Sequence, residues 1–482
     1  MRLTDYVMAT KELKEQYFST VTMQVGLRYF GGKATIGKYL LNRIFEMQAY
    51  RYTHKDIGEA KVFVDCFTGG GKMALTIPTG WFDVIVMNDL NYGVYSYYVC
   101  CQKKPLALIN MIKSLGSIMC YDTFMLCARE RSVRGKNLSV EVLKKLGIDI
   151  DNIERDEEEN IIGDADMLLS AAMTYWVTQG SWLGETDPEK VTYALNTAGK
   201  NENEEIRKRI KTASKRIMQI NQKMTRQTYI IENMDYVDLI DKYKEMYEES
   251  VIWYLDPPYH AATLNKSNGY DDKVNIQKKN QEKPAPYEDS FLYEQTMAMT
   301  YLLATMKWFI KSDYDPYYFF RDKYEELSEE IAKEEAKEKD KEEIQNTIRD
   351  ITQKIFEKPD YFHDFDLIEN IVQGFYREYL GSFHKGTNTG HDEGMEVIWT
   401  RYDGSQESLS YLGLTDEDKA FWEHKKNTRK KWLYVNEKIN NFNIKVMITQ
   451  KTEDERVNLQ VDTILKACSD YDRVMKEALP SK

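Results

Sequence analysis

Three short apolar runs, each stopping at glycines or polar turn residues, constrain this chain most. Residues 61–67 (KVFVDCF) run into Gly69-Gly70-Gly71, residues 83–88 (DVIVMN) into Asp89, and residues 251–255 (VIWYL) into Asp256-Pro257-Pro258-Tyr259. Short runs of β-branched and aromatic residues bounded by turn formers read as buried strands. Helical patterns accompany them. KMALTI follows the glycines, and residues 36–47 set Ile36, Leu40, Ile44 and Met47 on one helical face. Strands alternating with helices predict an α/β domain with a parallel sheet.

The rest of the 482 residues is uneven. At roughly 100–200 residues per domain, such a length suits two or three units. Residues 10–18 read as a short helix, and residues 105–225 are mostly helical in pattern, with an acidic stretch at 149–159. Further strands are expected at 228–232, 306–315 and 396–402, with another in a polar extension, at 444–449. Residues 260–290 read as a polar loop and 291–306 as helix-like. Residues 321–358, with 13 acidic and 9 basic side chains, read as a solvated helix or helical hairpin inserted between strands. From Gly71 to Asp256 is 185 residues. Three strand-helix units of about 30 residues leave roughly 95 over, the size of a small inserted helical domain.

Composition narrows the function. Lys+Arg is 66 and Asp+Glu 78, a net charge of −12, which excludes a wholly basic nucleic-acid binder and leaves a local basic face open. The six cysteines form no C-x-x-C pair and the six histidines no H-E-x-x-H, so no metal site is expected. The N-terminus is polar with charges of both signs, unlike a signal peptide. No apolar run approaches the roughly 18 residues of a membrane span. A cytoplasmic protein without membrane contact is expected.

Four segments carry chemistry. Asp256-Pro257-Pro258-Tyr259 follows a strand, where open α/β sheets place ligands. Asp256 offers a carboxylate, Pro257 a carbonyl on a stiffened backbone and Tyr259 a flat face, which together suit an aromatic amine. The same string also reads as a Pro-rich turn. Asp65-Cys66-Phe67-Thr68-Gly69-Gly70-Gly71 allows close approach of backbone to a cofactor above a helix start. Cys66 and Met73 break the phosphate-loop pattern, and Ala74 breaks the dinucleotide pattern. Asn88-Asp89-Leu90-Asn91 sets an acid about 20 residues after the glycines, a common ribose acceptor, or is an ordinary Asp/Asn turn. Arg28-Tyr29-Phe30-Gly31-Gly32-Lys33 precedes the first long helix.

These four, in this order, resemble the Dam-like DNA adenine-N6 methyltransferases, whose motifs run R-Y-x-G-G-K, D/E-P-F-x-G-x-G, N-D-x-N, a recognition insert and D-P-P-Y. Residues 310–314 (IKSDY) resemble the family's strand ending in S-N or S-D, and residues 385–402 its closing hairpin strand. Cys66 replaces the usual Pro, and residues 180–184 (GSWLG) only loosely match the recognition segment. The resemblance implies a Rossmann-like S-adenosylmethionine-dependent methyltransferase with a mixed α/β sheet and an inserted, mostly helical target-recognition domain. The domains would be 1–24, an N-terminal helical segment; 25–104 with 228–404, the catalytic domain carrying the charged insert 321–358; 105–227, the recognition domain; and 405–482, an extension. S-adenosylmethionine would lie against Asp65, Phe67, Gly69 and Gly71, with Asp89 at its ribose and Tyr29 and Lys33 near its carboxylate or the adjacent DNA. Asp256, Pro257, Pro258 and Tyr259 would hold a flipped adenine. The partner would be double-stranded DNA, with a companion nuclease unknown.

For DNA contacts, residues 200–226 hold nine Lys/Arg against three Glu. Arg207, Arg209, Lys211, Lys215 and Arg216 are the phosphate-binding candidates, with residues 425–431 as a second basic stretch; either is also readable as a solvated helix face. Two alternatives stay open: the same fold methylating cytosine N4 or RNA, and a non-catalytic DNA-binding relative.

Overall fold

Among the described residues the sheet has seven strands: β1 (Val62–Asp65), β2 (Val84–Asn88), β3 (Thr228–Glu232), β4 (Val251–Leu255), β5 (Phe309–Asp313), β6 (Tyr376–His384) and β7 (Glu393–Thr400). The structure, a computed structural model, describes residues 1–257 except 25, 29–35, 137, 139, 147–152, 158–159, 182–190 and 196–200. Beyond 257 it describes 299, 302–303, 305–313, 376–384 and 393–402. The strand order is β3-β2-β1-β4-β5-β7-β6. The first five strands are parallel, and β7 runs antiparallel to both β5 and β6. Every residue of β1 and β4 is buried, which explains why their sequences are apolar runs rather than alternations.

The chain leaves β1 for β2 on one side and returns to β4 on the other, so the sheet reverses its winding between β1 and β4. Asp65 stands opposite Met87 of β2 and Tyr254 of β4. Paired residues share a face and alternate along each strand. Phe63, Ile85, Met87, Ile252, Tyr254 and Ile310 thus line one face, where they join Leu40, Ile44 and Phe45 of α3 (Gly37–Thr53) and Val94, Tyr97 and Tyr98 of α5 (Tyr92–Lys103) in one core. The helix predicted at 36–47 therefore continues to Thr53. The helix predicted at 10–18 is Lys11–Thr20, preceded by another at Leu3–Met8. KMALTI forms α4 (Lys72–Thr76), and Tyr236–Tyr247 forms a helix packed on β4.

Between β2 and β3 lie the helices α6 (Pro105–Ser117), α7 (Tyr121–Glu130), α8 (Val140–Lys145), α9 (Gly163–Gly180) and α10 (Glu202–Arg226). α9 is buried from Leu169 to Gly180 and packs on α5, α6 and α7. α10 starts where Asn201 accepts the Glu204 N–H; three Glu fill its first turn, and Lys223 and Arg226 its last, matching the helix dipole. Its buried Ile206, Ala213, Ile217, Ile220 and Met224 lie against α5, α6 and β3. Sheet and helices belong to one compact unit, Met1–Phe291 with Met306–Asp315 and Phe375–Ser410. Of the second unit, Leu292–Thr305, Pro316–Gly374 and Tyr411–Lys482, only residues 299, 302, 303 and 305 are described. The loop expected at 260–290, the insert 321–358, the extension 405–482 and its strand at 444–449 lie outside the described residues.

Among the described strands, β6 is one that sequence patterning missed. Its sequence, YREYLGSFH, mixes charges and a glycine into the strand, and among the described residues it pairs with β7 only. An edge strand buries less and needs no apolar run.

Candidate active site

The carboxyl ends of β1, β2 and β4 meet where the winding reverses, the position at which open α/β sheets bind ligands. After β1 the chain turns tightly: the Gly71 N–H donates to the Thr68 carbonyl at 2.7 Å. Gly69 and Gly71 have φ of 44° and 68°, in the left-handed region. A Cβ on Gly71 would lie 2.5 Å from the Tyr98 hydroxyl oxygen. That hydroxyl, on α5, donates to the Gly69 carbonyl at 3.0 Å. From the other side, Gly26 and Leu27 donate N–H bonds to the Gly70 carbonyl at 3.0 and 3.4 Å. The turn is clamped between α5 and the segment leading to Arg28.

Asp89 ties this turn to the end of β2. Its Oδ2 accepts the Gly69 N–H at 2.8 Å, and its Oδ1 accepts the Asn91 N–H at 2.9 Å. Asn91 then caps α5 by accepting from Gly93 and Val94. Asn88 reaches both neighbours: its Nδ2 donates to the Cys66 and Met234 carbonyls, each at 3.0 Å. Beyond β3, Asn233 donates to the carbonyls of Asp89 and Leu90, both at 2.8 Å, and accepts from Arg134. The Phe67 ring lies 5.4 Å from that of Tyr236, forming an aromatic wall.

Three carboxyl groups converge on this edge. Asp65, the last residue of β1, is 1 % exposed, and its Oδ1 has no hydrogen-bond partner among the described residues. Burial first, then the negative charges of Asp256 and Asp89, push its pKa well above the usual aspartate range, while the backbone N–H groups of Ala74 and Phe67 oppose the shift. Asp256 follows β4 directly. Since Asp65 pairs with Tyr254, alternation puts Asp65, Tyr254 and Asp256 on one face. Pro257 is buried beside it. Chemically, the edge offers carboxylate and carbonyl acceptors next to a side-chain-free turn. Burial also pushes up the thiol of Cys66, which does not suit it to nucleophilic attack.

Of the residues singled out in the sequence, Asp65, Phe67, Gly69, Gly71, Asp89, Asp256 and Pro257 all come to this edge. Tyr29, Lys33, Pro258 and Tyr259 lie outside the described residues, as do residues 425–431. The basic run on α10 divides. Arg207, Lys211 and Lys215 are exposed, and Arg209 is 3.9 Å from Glu205. Arg216 instead donates to the Gly26 carbonyl at 3.4 Å, and Lys223 to the carbonyls of Leu75 and Ile77. Tyr98, Asn233 and Tyr236 escaped sequence reading. Asn233 and Tyr236 follow a legible strand end, a position that signals a site; Tyr98 sits among other apolar residues of a helix and carries no such signal.

Among the described residues, no group of three His, Cys, Asp or Glu is arranged to hold a metal, and no helix is long and apolar enough to cross a membrane. The family model of the D12 class N6 adenine-specific DNA methyltransferases matches residues 29–339. A comparison with curated proteins finds no match.

Proposed function

From the D12 class of N6 adenine-specific DNA methyltransferases, to which the chain belongs, we propose a site assignment: S-adenosylmethionine binds over the glycine turn, and Asp256 with Pro257 holds the adenine amino group. The protein is an enzyme that methylates adenine N6 in DNA, on a Rossmann-like methyltransferase fold. The residues present suit the cofactor. Asp65 Oδ1 is a buried acceptor without a partner among the described residues, and the glycines at 69–71 keep the turn beside it free of side chains. Asp65, Phe67, Gly69 and Gly71 would line the cofactor, Asp89 would accept from its ribose, and Tyr29 and Lys33 would reach its carboxylate or the adjacent DNA. Bound there, its sulfonium supplies an electrophilic methyl group.

The adenine amino group is a poor nucleophile because its lone pair is delocalised into the ring. Asp256 accepts one of its N–H bonds and the Pro257 carbonyl the other. Held by two acceptors, the nitrogen is drawn toward a tetrahedral geometry and its lone pair is freed for in-line attack. The gain is orientation and electrostatic preorganisation. The base must leave the duplex, at a cost of a few kcal/mol. Tyr259 stacks on it, contributing about 1–3 kcal/mol. No covalent link to the protein is needed. The same reading takes double-stranded DNA as substrate, residues 105–227 as the recognition domain for a specific site, and the cytoplasm as the location.

The observation that carries this assignment is the register. Asp65↔Tyr254 puts the D-P-P-Y strand directly beside the glycine-turn strand, so amine acceptors and cofactor turn share one sheet edge. The test is to incubate the enzyme with methyl-labelled cofactor and duplex DNA, digest to nucleosides and identify the labelled base. Label in N6-methyladenine is expected. Asp256→Ala should lower transfer by about 100- to 1000-fold, the loss typical of one preorganised group at a reacting centre, with cofactor affinity little changed. Near wild-type transfer by Asp256→Ala would remove this motif from the active site.

A further inference from the structure

Beside Asp256 the sheet carries a hydroxyl that the chemistry above leaves unused. β4 and β5 are parallel, with Tyr254 opposite Ile310 and Leu255 opposite Lys311. Continued by one residue, that register sets Ser312 beside Asp256, about 4.8 Å away in the hydrogen-bonding direction. By alternation both lie on the face of Asp65, Tyr254 and Ile310, whereas Lys311 lies on the other, over the Trp399 ring at 5.7 Å. Ser312 is 0 % exposed, and its Oγ has no hydrogen-bond partner among the described residues. Its neighbour on the far side is apolar, Ile398 of β7. A hydroxyl buried without a partner is unfavourable unless it gains one when the site is filled.

We propose that Ser312 is a positioning residue, donating its hydroxyl to the Asp256 carboxylate in the catalytic complex and so helping to turn that carboxylate toward the adenine amino group. The inference rests on Asp256 being the amine acceptor. Among the described residues, the titratable groups around this edge include Asp65 on β1, Cys66 after it, Asp89 after β2, Tyr98 on α5, Tyr236 after β3, Tyr254 on β4 and Lys311 on β5. Asp65 makes the donor necessary. Two carboxyl groups on one buried face do not both ionise readily, and a hydroxyl donated to one of them favours its charged form. Burial and the neighbouring carboxylates raise the Asp65 pKa, and a hydroxyl donated by Ser312 would favour the charged form of Asp256.

The test reads the pH dependence of methyl transfer at saturating cofactor and DNA. Ser312→Ala should move the acidic limb of the kcat profile up by about one pH unit, so that kcat on that limb falls about tenfold while the neutral plateau changes less, since one pKa unit corresponds to that factor. The cofactor KM should stay as in wild type. Ser312→Thr, which keeps the hydroxyl, should restore the limb. Should Ser312→Ala not fold, Ser312→Cys, close in size and a weak donor, is read instead with the same upward movement expected. A folded variant with a wild-type acidic limb overturns the proposal, as does a change confined to cofactor KM. An active Asp256→Ala would instead sink the site assignment, whereas an inactive Asp256→Ala beside an unaltered Ser312→Ala removes only the role given to Ser312.

Discussion

Gly26 has no room for a side chain, although its backbone does not require glycine. A Cβ there would lie 2.4 Å from the Tyr98 hydroxyl oxygen and 2.7 Å from its ring. The ring cannot easily give way, because it is 1 % exposed and its hydroxyl bonds the Gly69 carbonyl. Gly26 also receives contacts at its own carbonyl, from the Tyr97 hydroxyl and Arg216, both at 3.4 Å. Gly26→Ala should therefore displace the glycine turn and weaken cofactor binding about tenfold, with kcat at saturation little altered. Tyr98→Phe should be milder, losing one hydrogen bond of about 1 kcal/mol, or roughly fivefold. Calorimetric titration of the cofactor measures both; wild-type affinity in Gly26→Ala would show that the turn does not depend on this packing.

At the scale of elements, α10 shows that a run of like charges does not make one surface. Its buried stripe fixes the helix against α5, α6 and β3, and rotation about the axis then decides where each cation goes. Arg207, Lys211 and Lys215, four residues apart, remain exposed. Lys223 points inward to the Leu75 and Ile77 carbonyls, and burial pushes its pKa down to about 8. Replacing Arg207, Lys211 and Lys215 with Ala should weaken DNA binding and flatten its salt dependence by roughly one unit of slope per lost phosphate contact. The melting temperature should stay near wild type, since these side chains bury little. A wild-type slope in the triple variant would move the DNA interface off this face of α10.

For the whole molecule, the proposed cofactor contacts at the ends of β1 and β2 belong to one compact unit with the helices α6–α10. Binding should therefore stabilise the unit as a whole rather than one loop. Cofactor at 100 times its Kd should add about 2.7 kcal/mol by mass action. A thermal melt followed by circular dichroism should show the main helical transition rising by several degrees. A melt unmoved at millimolar cofactor, with no heat of binding, would contradict the cofactor site. The net charge of −12 makes long-range attraction to DNA weak, so the exposed cations on α10 should carry much of the salt dependence.

The apolar runs of β1, β2 and β4, and the turns that end them, were legible because strands buried on both faces need unbroken hydrophobicity and tight turns need glycine or proline. Their order alone brought Asp65, Gly69, Gly71, Asp89 and Asp256 under suspicion. It did not reveal that β1 and β4 are neighbours, since pairing across so many intervening residues leaves no local trace. Tyr98 was invisible for the same reason, and Ser312, though part of the IKSDY segment, carried no sign of its neighbour. A buried tyrosine on an apolar helix and a serine at the polar end of a short strand acquire meaning only from what packing and register set beside them. The division of the α10 cations, and the edge strand β6, likewise depended on which surfaces were covered. Local sequence determined where strands end and turns close; tertiary packing decided which side chains face one another across the sheet.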